Sequence, residues 1–325
     1  NKGQQTILFL NRRGYAGFVS CRSCGEVMKC PHCDVSLSEH KGGRLICHYC
    51  GYTQPMPKLC PKWGSKYILG FKAGTQQIEE KLKELYPGVR TLRMDADTTR
   101  TKDSYEKILS SFANGEADVL IGTQMIVKGH DFPKVTLVGI LAADLSLNAS
   151  DYRAGERTFQ LLTQAVGRAG RGVLPGEAVI QTYQPDHYAI TCAAAQDYES
   201  FYQEEILYRE LSGYPPVAHM LAVQIYGKEE ENVKQLALRL TDVVKSNMDF
   251  LSGKQKEQSN KKIQVLGPAP ANISKINDIY RYVFYVKHAE YDVLVEVKDR
   301  LEETLRQWQP RQMSIQFDFD PVSVL

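Results

Sequence analysis

The chain has 325 residues, of which 40 are lysine or arginine and 38 are aspartate or glutamate, so its formal net charge is only +2. This balance excludes a strongly basic protein, and any binding of nucleic acid must come from local patches of cations. The length predicts two or three domains, each able to bury a core. Because the sequence has no apolar run of about 18 residues and no signal-peptide pattern, we expect a cytoplasmic protein without a membrane segment.

The first predicted strand runs from Gln5 to Leu10 and is followed by a loop that contains Arg12 and Arg13. The strand is a short apolar run, as expected for a buried strand of a parallel sheet. Two readings of the loop arginines stay open. They either contact phosphate groups of a nucleic acid or are exposed loop charges.

Seven of the eight cysteines lie close together in the first fifth of the chain. They are Cys21, Cys24, Cys30, Cys33, Cys47, Cys50 and Cys60. The first six form pairs with a two-residue spacer, which lets a tight turn aim both thiolates at one metal ion. In a reducing compartment such clustering indicates zinc rather than disulfides. Redox chemistry is a poor alternative, because a redox CxxC motif is expected near a βαβ unit.

A fourth pair would be completed at position 63, where the sequence has tryptophan after Cys60. A protonated indole has no lone pair to offer a metal, so Trp63 cannot be a ligand. His32 and His48 each lie between the two cysteines of a pair, and we expect both to face outward. Cys60 therefore has no cysteine partner at this spacing, and a covering role for Trp63 stays open.

Helical periodicity resumes after the cysteines and predicts a helix that begins near Thr75. A strand from Thr91 to Met94 follows, and then a polar turn with Asp95 and Asp97. The two aspartates form either a carboxylate pair or the cap of the next predicted helix, Lys102 to Asn114. We favour the cap.

A strand-like run at 118–121 leads into a glycine-rich loop with several candidate functional residues. They are Gly122, Thr123, Gln124, Lys128, Gly129 and Asp131. Ligands gather beyond the carboxyl ends of buried parallel strands, which is where Gly122 and Thr123 are expected.

Farther along, Gln164, Arg168 and Arg171 are spaced four and three residues apart. This spacing predicts a helix with all three on one face. Two guanidiniums on one face suit a polyanion, and the alternative is a solvated basic helix end.

Strands alternate with helices up to about residue 190, which predicts a parallel sheet flanked by helices. After a helical stretch at 191–212, the order strand, helix, strand, strand, helix, strand predicts a ferredoxin-like α+β domain over 213–325. One of its strands contains Tyr280, Arg281 and Tyr282. These side chains either bind and stack on nucleic-acid bases or belong to a packed, half-buried strand.

The segments GTQMIVKGHDFP and QAVGRAGR resemble motifs V and VI of superfamily 2 helicases. Together with the upstream cysteines, the whole chain resembles the PriA family of primosomal replication-restart helicases. The resemblance implies a RecA-like helicase lobe 2 over 1–19 and 66–190, with a zinc-binding insert at 20–65. It also implies a helical linker at 191–212 and a DNA- and partner-binding domain over 213–325.

The resemblance assigns roles to the residues named above. Gln164, Arg168 and Arg171 would face the triphosphate held by another lobe and act as arginine fingers do. The glycine-rich loop would couple nucleotide to DNA, while Arg12, Arg13, Thr98 and Thr99 would lie along the DNA. The resemblance also implies that the cysteines pair in nested fashion, with Cys30, Cys33, Cys47 and Cys50 around one zinc and Cys21, Cys24 and Cys60 around a second. The second site would then have three thiolates, with water or a borrowed side chain as the fourth ligand.

The sequence contains neither a GxxxxGKS/T motif nor a DEAD-like tetrad, so it has no cradle for ATP phosphates or magnesium. We therefore expect the carboxyl-terminal portion of a 3′-to-5′ DNA helicase, which uses ATP and magnesium only with a further lobe. The implied partners are branched and single-stranded DNA, single-stranded-DNA-binding protein, primosome proteins and the loader of the replicative helicase. The competing hypothesis is a stand-alone zinc-dependent DNA-binding scaffold, which would have no use for triphosphate-facing arginines.

Overall fold

The computed structural model describes residues 3–10, 18–31, 36–40, 43–47, 50–70, 74–95, 98–99, 102–123, 126, 131–149, 151–246 and 262–322. The chain divides into two compact units. Unit 1 comprises Asn1–Val27, Lys58–Ala149 and Arg153–Gln203, and unit 2 comprises Met28–Pro57, Ser150–Tyr152 and Glu204–Leu325.

The strands in chain order are β1 (Gln5–Leu10), β2 (Val19–Cys21), β3 (Ser38–His40), β4 (Arg44–Ile46), β5 (Thr53–Pro55), β6 (Ile68–Gly70), β7 (Thr91–Met94), β8 (Val119–Gly122), β9 (Val135–Leu141), β10 (Glu177–Ile180), β11 (His219–Gly227), β12 (Gln264–Ile276), β13 (Ile279–His288) and β14 (Met313–Phe319). The helices are α1 (Thr75–Leu85), α2 (Lys102–Ala113), α3 (Asp144–Leu147), α4 (Ala154–Val166), α5 (Tyr188–Ala195), α6 (Tyr198–Ser212), α7 (Glu230–Ser246) and α8 (Tyr291–Trp308). Among the described residues, no helix combines the length and the apolar character needed to cross a membrane.

Unit 1 is built on a five-stranded sheet in the order β10-β9-β1-β8-β7. All four strand pairs are parallel, and β1 lies at the centre. Leu120 and Ile121 are neighbours on β8 and point to opposite faces of the sheet, and both are fully buried, as expected for a parallel sheet that is covered on both faces. This arrangement confirms the RecA-like lobe that the sequence predicts.

The helical stretch that follows β10 differs from the continuous linker expected at 191–212. It contains two helices, α5 and α6, separated by Gln196, whose φ of +56° is left-handed. Ala189, Ile190 and Ala193 of α5 are buried in the core of unit 1. The first part of this stretch is therefore part of the lobe, because its apolar side chains complete the lobe's core.

The carboxyl-terminal part of unit 2 has the predicted βαββαβ order, with an antiparallel sheet in the order β12-β13-β11-β14. Helices α7 and α8 pack their apolar residues against one face of this sheet. Along β13, Tyr282, Phe284 and Val286 point into that core, two residues apart as a strand requires. The ferredoxin-like domain is confirmed.

The cysteine-rich region, expected as one insert at 20–65, is divided between the two units. β2 pairs with β6 in unit 1, whereas β3, β4 and β5 form a small sheet in unit 2. Within unit 2 this small module packs on the larger sheet. A Cβ atom added at Gly51 would lie only 3.4 Å from the carbonyl oxygen of Pro268 on β12.

Gly122 provides a test of packing inside the lobe. A Cβ atom at this position would lie 2.6 Å from the carbonyl oxygen of Met94, which belongs to the β7 backbone and cannot move easily. We expect Gly122→Ala to lower the free energy of unfolding of the lobe by about 1–3 kcal/mol, as overpacking does, in chemical denaturation.

Gly139→Ala is the matched control. Its added methyl meets only Leu8 Cδ2, at 2.7 Å, and a side-chain end can rotate away. Equal losses of stability in the two variants would contradict the backbone clash at Gly122.

Candidate functional site

The segment between β8 and β9 joins two opposite edges of the parallel sheet. Both strands lie beside β1 and run in the same direction. β8 ends with Gly122 at the carboxyl edge, and β9 begins with Val135 at the amino edge. The residues between them must therefore cross from one edge to the other.

At the carboxyl edge, a tight turn follows β7. The backbone N–H of Thr98 donates to Asp95 Oδ1 at 3.0 Å, and the hydroxyls of Thr98 and Thr99 donate to the Asp95 carbonyl at 3.2 and 2.6 Å. Asp95 thus closes the turn, and it also accepts a hydrogen bond from Thr75 at 2.5 Å. Contact of Thr98 and Thr99 with DNA stays a prediction, since both hydroxyls already serve the turn.

Arg168 and Arg171 lie at the amino edge. The N–H of Gly170 donates to the carbonyl of Val135, the first residue of β9, at 3.1 Å. Arg171 Nε donates to the Gly167 carbonyl at 2.8 Å, and its Nη1 lies 3.6 Å from Asp131 Oδ1. The structure therefore brings together Asp131 and Arg171, the expected coupling residue and one of the expected catalytic residues.

The predicted single helical face for Gln164, Arg168 and Arg171 is wrong. Helix α4 ends at Val166, so only Gln164, which is exposed, belongs to it. The chain then tightens, with Arg168 N–H donating three residues back to Ala165 at 3.0 Å. Gly170 follows with a φ of +70°, a conformation that residues with a Cβ atom rarely adopt.

A close backbone contact holds the segment from Gly167 to Gly176, which contains Arg168 and Arg171 and is called the arginine loop. A Cβ atom at Gly176 would lie 2.1 Å from the backbone nitrogen of Gly170, so the two ends of the loop pass each other at a distance that only glycine permits. The glycines of the sequence GRGVLPG are the signal that sequence reasoning missed. They position the arginines without a helix.

The two arginine side chains lie close enough to influence each other. Burial lowers the pKa of the Arg168 guanidinium, the charge of Arg171 lowers it further, and the charge of Asp131 raises it. The Asp131 side chain is largely exposed. An anion such as a phosphate placed beside both guanidiniums would favour their charged forms.

Six of the seven described cysteines form two clusters, one in each unit. Cys21, Cys24 and Cys60 in unit 1, and Cys30, Cys47 and Cys50 in unit 2, each place their sulfur atoms within 4.8 Å of one another. The Sγ atoms of Cys24 and Cys60 are 3.7 Å apart, and those of Cys30 and Cys50 are 3.6 Å apart. Thiolates bound to one tetrahedral zinc at about 2.3 Å would be about 3.8 Å apart, so both clusters fit the metal.

Three of the cysteine turns share one backbone pattern. The N–H groups of Gly25, Gly51 and Gly64 donate back to the carbonyls of Cys21, Cys47 and Cys60 at 2.9, 3.0 and 2.8 Å. All three glycines have a left-handed φ between +69° and +77°.

In the third turn, Trp63 therefore stands where the first two have their second cysteine, and its side chain is 71% exposed. Within the described part of the chain, no fourth cysteine, histidine or carboxylate joins Cys21, Cys24 and Cys60.

Hydrogen bonds prepare Cys21 to act as a ligand. Burial alone would raise the pKa of its thiol, but hydrogen bonds from the backbone N–H groups of Ser23 and Cys24 lower it to about 7. Metal ligation requires the thiolate, and these N–H groups favour that form.

On β13 the expected stacking residues separate. Tyr282 is 8% exposed and lies in the core under α7, and burial together with Glu230 and Glu231 raises the pKa of its hydroxyl. The expectation that Tyr282 stacks on bases is wrong, because it faces the helices. Tyr280 is half-buried on the same side, with Lys275 Nζ 4.8 Å from its ring centre.

Arg281 points to the opposite face, where its guanidinium carbon lies 5.6 Å from the ring centre of Tyr226. Sequence reasoning missed Tyr226, because the register of β11 against β13 cannot be read from either strand alone. The remaining predicted site residues lie outside the described residues: Arg12, Arg13, Cys33, Gln124, Lys128 and Gly129.

Three family models match the chain. They are the primosomal protein N C-terminal domain over residues 210–322, the PriA DNA helicase Cys-rich region domain over 30–55 and the helicase conserved C-terminal domain over 61–173.

Proteins called replication restart protein PriA are similar over almost the whole chain. The protein of Bacillus subtilis (strain 168) is 43% identical over 100% of this chain and 39% of its own length. That of Synechocystis is 40% identical over 99% and 38%, and that of Haemophilus influenzae is 35% identical over 96% and 40%. The chain thus spans about two fifths of the length of these relatives.

The two cysteine clusters should differ in how tightly they hold metal. The cluster of Cys21, Cys24 and Cys60 has three thiolates, whereas Cys30, Cys47 and Cys50 have Cys33 nearby in sequence as a fourth. During a chelator titration followed by elemental analysis, we expect one zinc to leave readily and one to remain.

Trp63→Cys should make both zincs resistant, because it restores the second ligand of the turn, and Trp63→Ser is the control that removes the ring without adding a thiolate. Two equally retained zincs in the unmodified chain would show that another residue completes the first site.

Burial of Tyr282 predicts a loss of stability rather than of binding when the ring is removed. Tyr282→Ala should lower the free energy of unfolding of the C-terminal domain by about 3–5 kcal/mol. Tyr282→Phe, which keeps the ring, should unfold close to the unmodified chain in chemical denaturation. A folded Tyr282→Ala variant of normal stability would contradict the core position.

Proposed function

Because the chain belongs to the PriA family of replication restart proteins, we propose that it is the carboxyl-terminal part of an ATP-dependent, 3′-to-5′ superfamily 2 DNA helicase. The whole protein recognises branched replication forks and initiates primosome assembly. The observation that carries the proposal is the arginine loop at the amino edge of the lobe, with Arg168 half-buried beside Arg171 and Asp131.

The two arginines act on ATP bound by a further lobe. In phosphoryl transfer, positive charge stabilises the charge that develops on the phosphate oxygens. Arg171 is exposed, and its contact with Asp131 is long and also exposed. Exposed ion pairs contribute little stability, so Arg171 can leave Asp131 for a phosphate at small cost. Gln164 is exposed in the last turn of α4, the helix that leads directly into this loop.

Coupling between nucleotide and DNA runs through the segment from Thr123 to Asp131. This segment connects the carboxyl edge, where the Asp95 turn lies, to the amino edge, where Arg171 lies. Asp131, at the end of this segment, would lose its contact with Arg171 when Arg171 engages a phosphate. Gln124, Lys128 and Gly129 in this segment are the proposed coupling residues.

The cysteine clusters hold two structural zinc ions, one with an incomplete cysteine set. The partners are branched and single-stranded DNA, single-stranded-DNA-binding protein, primosome proteins and the loader of the replicative helicase. ATP and magnesium bind only together with the further lobe, because the printed sequence has no phosphate-binding loop.

ATP hydrolysis tests the proposal. The 325-residue chain alone should hydrolyse ATP at background rate, with or without DNA. Joined to the preceding lobe of a close relative, it should show DNA-stimulated hydrolysis. In that protein, Arg168→Ala or Arg171→Ala should lower kcat by on the order of 10³-fold, the range for a lost arginine finger.

Arg90→Ala is the matched control, because Arg90 is an exposed arginine at the same edge of the sheet and pairs with Asp118 instead. Its variant should keep normal kcat. If the Arg168 and Arg171 variants lose only DNA affinity, the arginines belong to the DNA track. Hydrolysis by the 325-residue chain alone would contradict the proposal that ATP binds only together with the further lobe. A joined protein without hydrolysis would favour the scaffold hypothesis.

A further inference from the structure

The ferredoxin-like sheet has a second face, turned away from α7 and α8. Residues alternate along each strand, and those that do not enter the helix-side core must lie on this other face. Tyr226 on β11 pairs with Arg281 on β13 and with Ser314 on β14. One row farther along, Gln224 pairs with Gln316.

One half of this face is covered and the other half is open. Around Tyr285, which is 1% exposed, the face is covered within unit 2, and burial followed by the charges of Asp151 and Cys47 raises the pKa of its hydroxyl. At the other end, Tyr226 and Arg281 are partly exposed and Gln316 is exposed. An open recess of about 580 Å³ lies there, lined in part by Tyr226, Ile279, Ser314 and Gln316.

The open half presents a ring held in a fixed position. The Tyr226 hydroxyl lies within hydrogen-bond distance of the side-chain amides of Gln224 and, at 3.1 Å, of Gln316. The Arg281 guanidinium lies 5.6 Å from the ring centre. An aromatic ring and a guanidinium plane are the surfaces on which unpaired bases stack, and amides and hydroxyls hydrogen-bond base edges.

Charge at the end of the recess favours a strand of phosphates. Gly227 and Gln312 line the recess, and the next residues in the chain, Lys228 and Arg311, are exposed cations. The nearby carboxylates are those of Glu229, which is exposed, and of Asp278, which pairs with Lys275. Asp318 is exposed on the same face, two residues beyond Gln316. A polyanion would therefore follow the Tyr226 end of the face and avoid the Asp318 end.

We propose that Tyr226, Arg281, Ser314 and Gln316, together called the Tyr226 platform, bind unpaired bases of single-stranded DNA. The inference rests on the proposed function, since it specifies where the carboxyl-terminal domain contacts the DNA. Stacking on this sheet then comes from Tyr226, on the face opposite to Tyr282.

Fluorescence anisotropy of the 325-residue chain tests the platform, with a labelled oligothymidine of about 16 nucleotides at roughly 50 mM salt. Tyr226→Leu should weaken binding on the order of ten- to hundred-fold, the range for one lost stack. Tyr226→Phe keeps the ring and should bind within about two-fold. The same Tyr226→Leu change should hardly alter binding of an abasic strand of equal length, because that strand has no bases to stack.

Tyr291→Leu is the matched control, because Tyr291 is a 43% exposed tyrosine on α8, away from this face. Its variant should bind DNA normally. Photocrosslinking of the unmodified chain to an iododeoxyuridine strand, mapped by mass spectrometry, does not depend on any variant being folded. It should label the peptides that contain Tyr226 or Arg281.

The outcomes separate the platform from the proposed function. If the unmodified chain binds DNA and the Tyr226→Leu variant binds it equally well, the platform is wrong and DNA binding stands. The same holds if Tyr226→Leu weakens binding of the abasic strand as much as binding of the oligothymidine. Crosslinks confined to other peptides overturn the platform in the same way. If the unmodified chain binds neither strand, both the platform and the DNA-binding role of this domain fail.

Discussion

Parallel pairing of β8 and β9 on either side of β1 is the constraint on which the helicase-like lobe depends. Two strands that run in the same direction cannot be joined by a tight turn, so the chain after Gly122 must return to the opposite edge before Val135. The connection places Asp131 within reach of the arginine loop. The parallel topology of the sheet thus requires a segment that connects the carboxyl ends of its strands to their amino ends, where the arginine loop lies.

In the cysteine-rich region, the fold depends instead on the two clusters of thiolates. Each strand there, from β2 to β6, is only three residues long, and such short strands are not stable by themselves. Bound metal would connect turns that few apolar side chains could hold. Because the two clusters lie in different units, each metal would stabilise a different part of the fold.

Periodicity and spacing predicted those features that depend on local pattern. The apolar runs of β1 and β8 indicated a parallel sheet, and the paired cysteines indicated metal sites. Features that depend on tertiary contacts were not predictable. Helix α4 ends at Val166 because the arginine loop packs at the start of β9, which the spacing of Arg168 and Arg171 does not reveal.

The two faces of β13 illustrate the same limit. Tyr280, Arg281 and Tyr282 alternate, but both faces of this sheet are partly covered, one by helices and one by the cysteine module. The polarity of the side chains along β13 therefore does not indicate which face of the sheet is open to solvent. Tyr226 joins Arg281 only through the register of β11 with β13.

In the metal turns and in the arginine loop, backbone contacts fix the geometry and side chains supply the chemistry. The turn at Cys60 keeps the hydrogen bond from Gly64 although its second position is Trp63 and not a thiolate. The contact of Gly170 with Gly176 likewise involves no charged group. Since the backbone holds the arginine loop independently of its charged side chains, substitution of an arginine removes the chemistry while the surrounding fold persists, whereas substitution of a metal ligand also removes a support of the cysteine-rich region.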